Sequence, residues 1–411
     1  MTHTEGMHVE GFRVAVTDEE VEGLRAALRR TRWPRQVEGS GWREGTDLAY
    51  LQELVAYWAE GFDWRAVEAR LNDEPQFLAR VGAGADPGTD PGEALDVHFV
   101  HRRGVGPAPL PLVLTHGWPS TYFEFHDVIG PLADPGAHGG DPADAFDVIV
   151  PSLPGYGFSS VPARVGTGPS RIAALWDELV RGLGYERYGA AGCDWGAMVT
   201  SLMGLDHPEH LVGIHLGMLT LRARTRDEPT DPADLEEERA FAARSKAWAR
   251  TEAAYTAIQG TKPQSLAYGL NDSPAGLAAW IVEKFRAWGD TGGDVESAFT
   301  RDDLLTNLSI YWFTQTIGSA NRLYHEARRS PRRLGEGERV TVPAGFLLER
   351  ALPEGHVTPN IGPPPRRRAE LVYDVRRWTI APRGAHFPAW ETPDLYVDEV
   401  RAFFRDLRPH T

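Results

Sequence analysis

The sequence predicts an α/β fold, a mostly parallel sheet with helices on both faces, and three observations carry that expectation. First, Leu110-Pro-Leu-Val-Leu-Thr115 and Phe146-Asp-Val-Ile-Val150 are nearly continuous apolar runs separated by helical stretches, the pattern of strands buried on both faces. Second, Gly192-Cys-Asp-Trp-Gly196 follows a short apolar run and opens a helical pattern, in which Met198, Leu202 and Leu205 recur at spacings of four and three. Third, residues 221–330 turn helical and charged, then aromatic, before Val340–Leu348 resumes the strands. An insertion of that length can form a helical lid over the sheet edge.

The whole chain sets outer bounds. Its 411 residues suit a large core with an insertion or a second small domain. Hydrophobic residues at 42% and charged residues at 25% are ordinary globular composition. A formal charge of −15 argues against nucleic acid and anionic membrane as partners. One cysteine excludes an intrachain disulfide framework and fits a reducing compartment. Met1–Gly11 is polar without a basic start, and no run approaches the ~18 to 20 apolar residues of a membrane helix, so a soluble, cytoplasmic protein is expected. Neither a metal-ligand spacing nor a phosphate-binding glycine loop stands out, so no cofactor and no metal are expected. The sequence leaves the oligomeric state, a homo-oligomer included, open.

In chain order, Thr17-Asp-Glu-Glu20 reads as a capped helix start, followed by Val21, Leu24 and Leu28 at helical spacing until Arg30-Thr-Arg-Trp-Pro34. Further amphipathic helices are expected over Leu48–Trp58 and Trp64–Val81, which makes the leading segment helical. Pro87–Gly92 is a loop, and Leu95–His101 is a strand that starts a new unit. The next strands end in His116-Gly-Trp-Pro119 and in Pro151-Ser-Leu-Pro-Gly-Tyr-Gly-Phe158, and a third leads into the 192–196 corner. Within the insertion, Trp248, Tyr255, Tyr268, Trp280, Phe285, Trp288, Tyr311, Trp312, Phe313 and Tyr324 read mainly as packing, with a few tyrosines free to point hydroxyls inward. Val375–Ala381 is the last strand, Arg383-Gly-Ala-His-Phe387 the loop after it, and about Leu395–Leu407 the closing helix.

Active sites of parallel sheets gather beyond the carboxyl ends of the strands, where these Gly/Pro-rich loops converge. A Gly-x-nucleophile-x-Gly corner pushes its middle side chain out over the sheet, and here that residue is Asp194, not Cys193 beside it. An aspartate in this slot is already anionic, is favoured by the helix N-terminus, and can displace a leaving group at saturated carbon to give an alkyl ester. The alternative is an aspartate that merely caps the helix. His116-Gly-Trp-Pro119 occupies the place where α/β-hydrolases supply one oxyanion-hole N–H, the residue after the nucleophile giving the other. Those residues are Trp118 and Trp195. His386, after the final strand, completes the order nucleophile, acid, histidine.

With these residues in hand, the chain resembles the microsomal-type epoxide hydrolases over nearly its whole length. Thr31-Arg-Trp-Pro34, Gly61-Phe-Asp-Trp64 through Asn72, and Val97-His-Phe-Val-His101 resemble the family's N-terminal region, which wraps around the hydrolase core. His116-Gly-Trp-Pro119, Pro151–Ser159, Gly192–Gly196 and Gly384-Ala-His-Phe387 follow the family's order and spacing. The division implied is an N-terminal region over 1–94, a first core part over 95–220, a lid over 221–330 and a second core part over 331–411. By resemblance, Tyr255, before Ile258-Gln-Gly-Thr-Lys-Pro263, and Tyr324, ending Ser319-Ala-Asn-Arg-Leu-Tyr324, hold the epoxide oxygen, whereas Tyr268 resembles a packing residue.

The family's third triad member follows the Val-Pro-x-Gly strand, usually after a Phe-Pro pair, and here the chain departs from the pattern. Leu347-Leu-Glu-Arg-Ala-Leu-Pro-Glu354 offers Glu349, nearest the strand end, and Glu354, behind Leu352-Pro353. The resemblance implies attack of Asp194 on an epoxide carbon, hydrolysis of the ester by water that His386 activates, and a vicinal diol as product. An aromatic, apolar lid suggests a bulky, hydrophobic, aromatic epoxide. A haloalkane dehalogenase and an epoxide-opening cyclase share the ester chemistry and are the rival enzymes. A ligand-binding protein on a hydrolase scaffold is the rival outside catalysis.

Overall fold

The computed structural model describes residues 7–82, 94–224, 230–352 and 360–408. Its centre is a nine-stranded sheet. The strands are β1 (Val9–Phe12), β2 (Gln76–Val81), β3 (Leu95–Arg102), β4 (Leu110–Thr115), β5 (Phe146–Pro151), β6 (Tyr188–Gly192), β7 (Leu211–Leu216), β8 (Val340–Leu348) and β9 (Tyr373–Ile380). They lie in the order 1-2-3-5-4-6-7-8-9. The first three strands pair antiparallel, with β3 against β5, and all pairs from β5/β4 to β8/β9 are parallel. Every residue of β5, β6 and β7 is buried, as strands covered on both faces require.

Adjacent residues of β6 show which helices cover which face. Tyr188 donates its hydroxyl to Asp177 of the helix Pro169–Gly182 at 2.8 Å, while a Cβ on Gly189 would lie 2.5 Å from the Phe404 ring of the helix Pro393–Arg405. Successive strand residues point to opposite faces, so these two helices cover opposite sides of the sheet.

The N-terminal region differs from the expectation in one place. Asp18–Arg29 is a helix with a full Thr17/Glu20 capping box, and Leu48–Glu60 is a helix as expected. The stretch Trp64–Val81, however, is a helix only as far as Leu71, and Gln76–Val81 is β2. Residues 76–81 find partners on both sides, β1 and β3, and this ladder outweighs an ambiguous local period. The leading segment therefore contributes two strands as well as helices. It also grips the lid: Trp58 Nε1 donates to Ser309 Oγ at 3.0 Å, and Arg70 pairs with Asp303 at 2.9 Å.

Beyond β7 the helices Pro232–Thr251, Ala254–Thr261, Pro263–Asp272, Pro274–Trp288, Arg301–Thr314 and Ile317–Arg329 precede β8. Proline at the first turn marks three of these starts, Pro232, Pro263 and Pro274, where its missing N–H costs nothing. Ala254–Thr261 carries Tyr255 and packs on Ile317–Arg329, which carries Tyr324.

Candidate active site

After Tyr188, β6 is built of small residues, Gly-Ala-Ala-Gly, and leads through Cys193 to Asp194, whose φ of 52° and ψ of −124° lie where few non-glycine residues go. Such a conformation costs about 1–3 kcal/mol and persists only where the surroundings enforce it. Close packing enforces it here. A Cβ on Gly196 would sit 1.8 Å from the Thr115 carbonyl oxygen, and one on Gly192 would sit 2.5 Å from the Gly196 carbonyl carbon. On the facing loop, a Cβ on Gly117 would lie 2.4 Å from Asp194 Cβ. The corner closes only with glycine at all three positions.

The approach of that loop gives the aspartate two unlike oxygens. Oδ1 accepts the backbone N–H of Trp118 at 2.9 Å and of Trp195 at 2.7 Å, the two donors expected from the sequence. Oδ2 faces His386 Nε2 at 3.6 Å. His116 fixes the loop from behind: its Nδ1 donates to the Gly117 carbonyl at 3.0 Å, and its Nε2 accepts the Leu153 N–H at 3.1 Å. Burial lowers its pKa to about 4, so it is neutral and structural. Cys193 is buried, its Sγ donates to the His386 carbonyl at 3.3 Å, and burial pushes the thiol well above its usual range. It is not a nucleophile.

His386 is surrounded by carboxylates. Burial opposes its protonation, but Asp194, Glu349 and Glu124 outweigh burial and hold the imidazole above its ordinary value. Glu349 is raised by burial, which the charge on His386, the Gly362 N–H and the Asn360 side chain partly offset. Among the described residues no ion pair or hydrogen bond joins Glu349 to His386, so its effect there is electrostatic. Glu354 lies outside the described residues.

Two carboxylates went unseen in the sequence. Glu124 is buried, hydrogen-bonded by Ser120 Oγ and Gly117, and pushed up to about 7 by burial, with the charge of His386 opposing. Glu391 takes backbone N–H groups on either side of His386. Both are lone charges in apolar surroundings, Tyr122-Phe-Glu-Phe125 and Pro388-Ala-Trp-Glu391, and that isolation was the available signal.

Opposite Asp194 stand the two tyrosines. Their rings meet edge to face at 5.7 Å. Tyr255 stacks on the Trp118 indole at 5.1 Å and 10°, and Tyr324 packs edge-on against the Trp195 indole at 4.7 Å. The residues whose backbones bind Asp194 thus also carry the tyrosines on their rings. Burial, then the negative charge of Asp194, raises the pKa of Tyr255, and burial, then Tyr255 and Asp194, raises that of Tyr324. Both phenols are neutral donors at neutral pH. The Tyr324 hydroxyl is buried and interacts with that of Tyr255.

Tyr268 is not a packing residue: its side chain is 70% exposed and lines an open groove of about 940 Å³ between the lid and residues 154–167. The helix it stands on buries Ala267 and Leu270 instead. At the far end of the sheet, Asp177, His207 and His210 come together. His210 Nδ1 at 2.7 Å, the Tyr188 hydroxyl at 2.8 Å and His207 Nδ1 at 3.7 Å already occupy the Asp177 carboxylate, with Arg181 at 4.0 Å. We read that cluster as a brace between β6, β7 and the helix beside them.

A strained aspartate corner at the carboxyl edge of a mostly parallel sheet makes this protein an α/β-hydrolase, and a family model of the alpha/beta hydrolase fold matches residues 111–274. The model of the epoxide hydrolase N terminus matches residues 9–125. A Stigmatella aurantiaca protein assigned as an epoxide hydrolase is 40% identical over 97% of this chain and 85% of its own length. Epoxide hydrolase 1 of Oryctolagus cuniculus is 33% identical over 96% of this chain and 88% of its own. Among solved structures, the juvenile hormone epoxide hydrolase of Bombyx mori superposes with a TM-score of 0.79 at 28% identity, covering 98% of this chain and 95% of that one. The Aspergillus niger epoxide hydrolase gives 0.81 at 26%, covering 98% and 97%. The chain belongs to the epoxide hydrolase family, with the microsomal type among its relatives, and is an enzyme of that activity. No helix among the described residues is long and apolar enough to cross a membrane.

Proposed function

We propose that the protein opens a bulky, hydrophobic, aromatic epoxide in two steps through an ester on Asp194. The observation that carries this reading is the asymmetry of the carboxylate: Oδ1 is held by two backbone N–H groups, while Oδ2 takes neither of them and stands 3.6 Å from His386 Nε2. In the first step Oδ2 bonds to a ring carbon, the ring C–O bond breaks, and the leaving alkoxide takes hydrogen bonds and a proton from the tyrosine pair. The Tyr255 and Tyr324 hydroxyls interact with each other, and an epoxide oxygen between the two phenols would accept from both.

In the second step His386 Nε2 accepts a proton from water, the oxygen attacks Asp194 Cγ, and Oδ1 becomes the oxyanion already facing the N–H groups of Trp118 and Trp195. Collapse breaks the bond between Cγ and the diol oxygen, which takes its proton from the His386 imidazolium. The carboxyl proton left on Asp194 returns to the tyrosinate, so that the diol leaves and the carboxylate and both phenols are restored. Glu349 is the acid that supports the imidazolium, with Glu124 as a second nearby carboxylate. The indoles of Trp118, Trp195 and Trp288 around the tyrosines favour an aromatic substituent. The paired phenols weigh against dehalogenation, because a departing halide needs no proton.

The test is an intact-mass measurement of His386→Gln mixed with aryl epoxides and alkyl halides. An adduct of the full epoxide mass on Asp194 is expected. An alkyl-only adduct from halides, with none from epoxides, would overturn the reading in favour of dehalogenation.

A further inference from the structure

The loop that carries His386 is held in an unusual way. Its four consecutive backbone N–H groups all donate outside the loop, to one small scaffold. Gly384 N–H goes to Asp290 Oδ2 at 3.1 Å, Ala385 N–H to Glu391 Oε1 at 3.2 Å, His386 N–H to the Trp288 carbonyl at 3.2 Å, and Phe387 N–H to Glu391 Oε1 at 2.9 Å. Glu391 Oε2 then accepts the Asp290 N–H at 2.7 Å, which closes the ring of bonds. Asp290 Oδ2 also takes the Arg350 guanidinium at 2.7 Å, next in sequence to Glu349.

Trp288 and Asp290 belong to the lid, at and just past the end of the helix Pro274–Trp288. The rings repeat the connection. Trp288 meets the His386 imidazole edge to face at 5.1 Å and Tyr255 at 5.1 Å, and Phe387 stacks on Phe285 of the same helix at 4.6 Å. A solvent-exposed loop could donate these N–H groups to water. Burying a carboxylate to receive them is costly unless it is well bonded, and burial does push Glu391 up to about 7 against three N–H donors and the charge of His386.

We propose that Glu391, with Asp290, is a positioning clasp that locks His386 to the lid, so that the histidine is placed for ester hydrolysis only while the lid rim is seated. Glu391 touches no reacting atom. It acts through the main chain on either side of His386, and it reaches the tyrosine side of the site through Trp288. The inference rests on the two-step reading above, since it assigns the clasp to the second step alone. Asp194, the two N–H donors and the tyrosines share no bond with it, so ester formation is expected to be spared.

The test compares Glu391→Ala, Glu391→Gln and Asp290→Ala with His386→Gln in single turnover, following ester by intact mass and diol by chromatography. A 1 Å misplacement of a catalytic group costs on the order of 100-fold, so Glu391→Ala should slow ester hydrolysis about that much and accumulate ester, with ester formation within a few-fold of native. Glu391→Gln keeps one acceptor oxygen for Ala385 and Phe387 and should recover most of the hydrolysis rate. Asp290→Ala, on the lid side, should reproduce the selective slowing and serves if Glu391→Ala does not fold. Equal slowing of both steps, or native hydrolysis in folded Glu391→Ala, would overturn the clasp. Absence of ester in His386→Gln as well would instead strike the two-step reading.

Discussion

Replacing Gly117 by alanine tests how Asp194 and its two backbone N–H donors share one space. The added Cβ would lie 2.4 Å from Asp194 Cβ and 2.5 Å from Oδ1, whereas ordinary contact begins at 3.4 Å. Neither side can yield by rotating a long side chain. Asp194 is pinned in its strained corner by Gly192 and Gly196, so the His116–Trp118 loop must retreat by about 1 Å. That displacement stretches the 2.9 Å bond from Trp118 N–H to Oδ1 beyond hydrogen-bonding range. Losing one oxyanion donor costs ~3 to 4 kcal/mol, so ester hydrolysis should slow by roughly 10²- to 10³-fold. Pre-steady-state measurement of ester formation and decay, beside a thermal melt to verify folding, gives the comparison. A folded Gly117→Ala enzyme that hydrolyses the ester at the native rate would refute the assignment of Trp118 N–H to the oxyanion.

Two further variants probe the other sides of the site. Phenylalanine at both Tyr255 and Tyr324 should slow ester formation by about 10²-fold or more while leaving hydrolysis of a preformed ester nearly unchanged, as rapid-quench analysis would show. Glu349→Gln removes a negative charge that favours the His386 imidazolium, so the pKa of His386 falls. If neutral His386 is the base, as proposed, turnover is lost as pH falls through that pKa, and the acidic limb of the kcat profile should move to lower pH. An unmoved limb would remove Glu349 from the charge balance.

Much of the site could be read from the sequence because its determinants are local. A Gly-x-Asp-x-Gly corner, a His-Gly-Trp-Pro loop and a histidine after the last strand each carry their own backbone requirement, and the fold brings them to one sheet edge. Trp118 and Trp195 were legible as N–H donors for that reason. Their second role, carrying Tyr255 and Tyr324 on their indoles, depends on how the lid sits and left no local mark. The same holds for Glu124 and Glu391, whose partners are backbone N–H groups and a histidine distant in sequence. Residues 76–81 misled because a short apolar run fits either period, and its strand state is decided by β1 and β3. Tyr268 misled because an aromatic at helical spacing does not declare which face of its helix is covered.

The central claim, that Asp194 forms an ester whose hydrolysis draws on water, is tested most directly by a single turnover in ¹⁸O-labelled water with enzyme in excess over epoxide. Water attacks Asp194 Cγ in this account, so the first diol should leave unlabelled and the label should appear in the Asp194 carboxylate by peptide mass analysis. Label in the diol of that first turnover, with none on Asp194, would mean that water attacks the epoxide directly and would contradict the account.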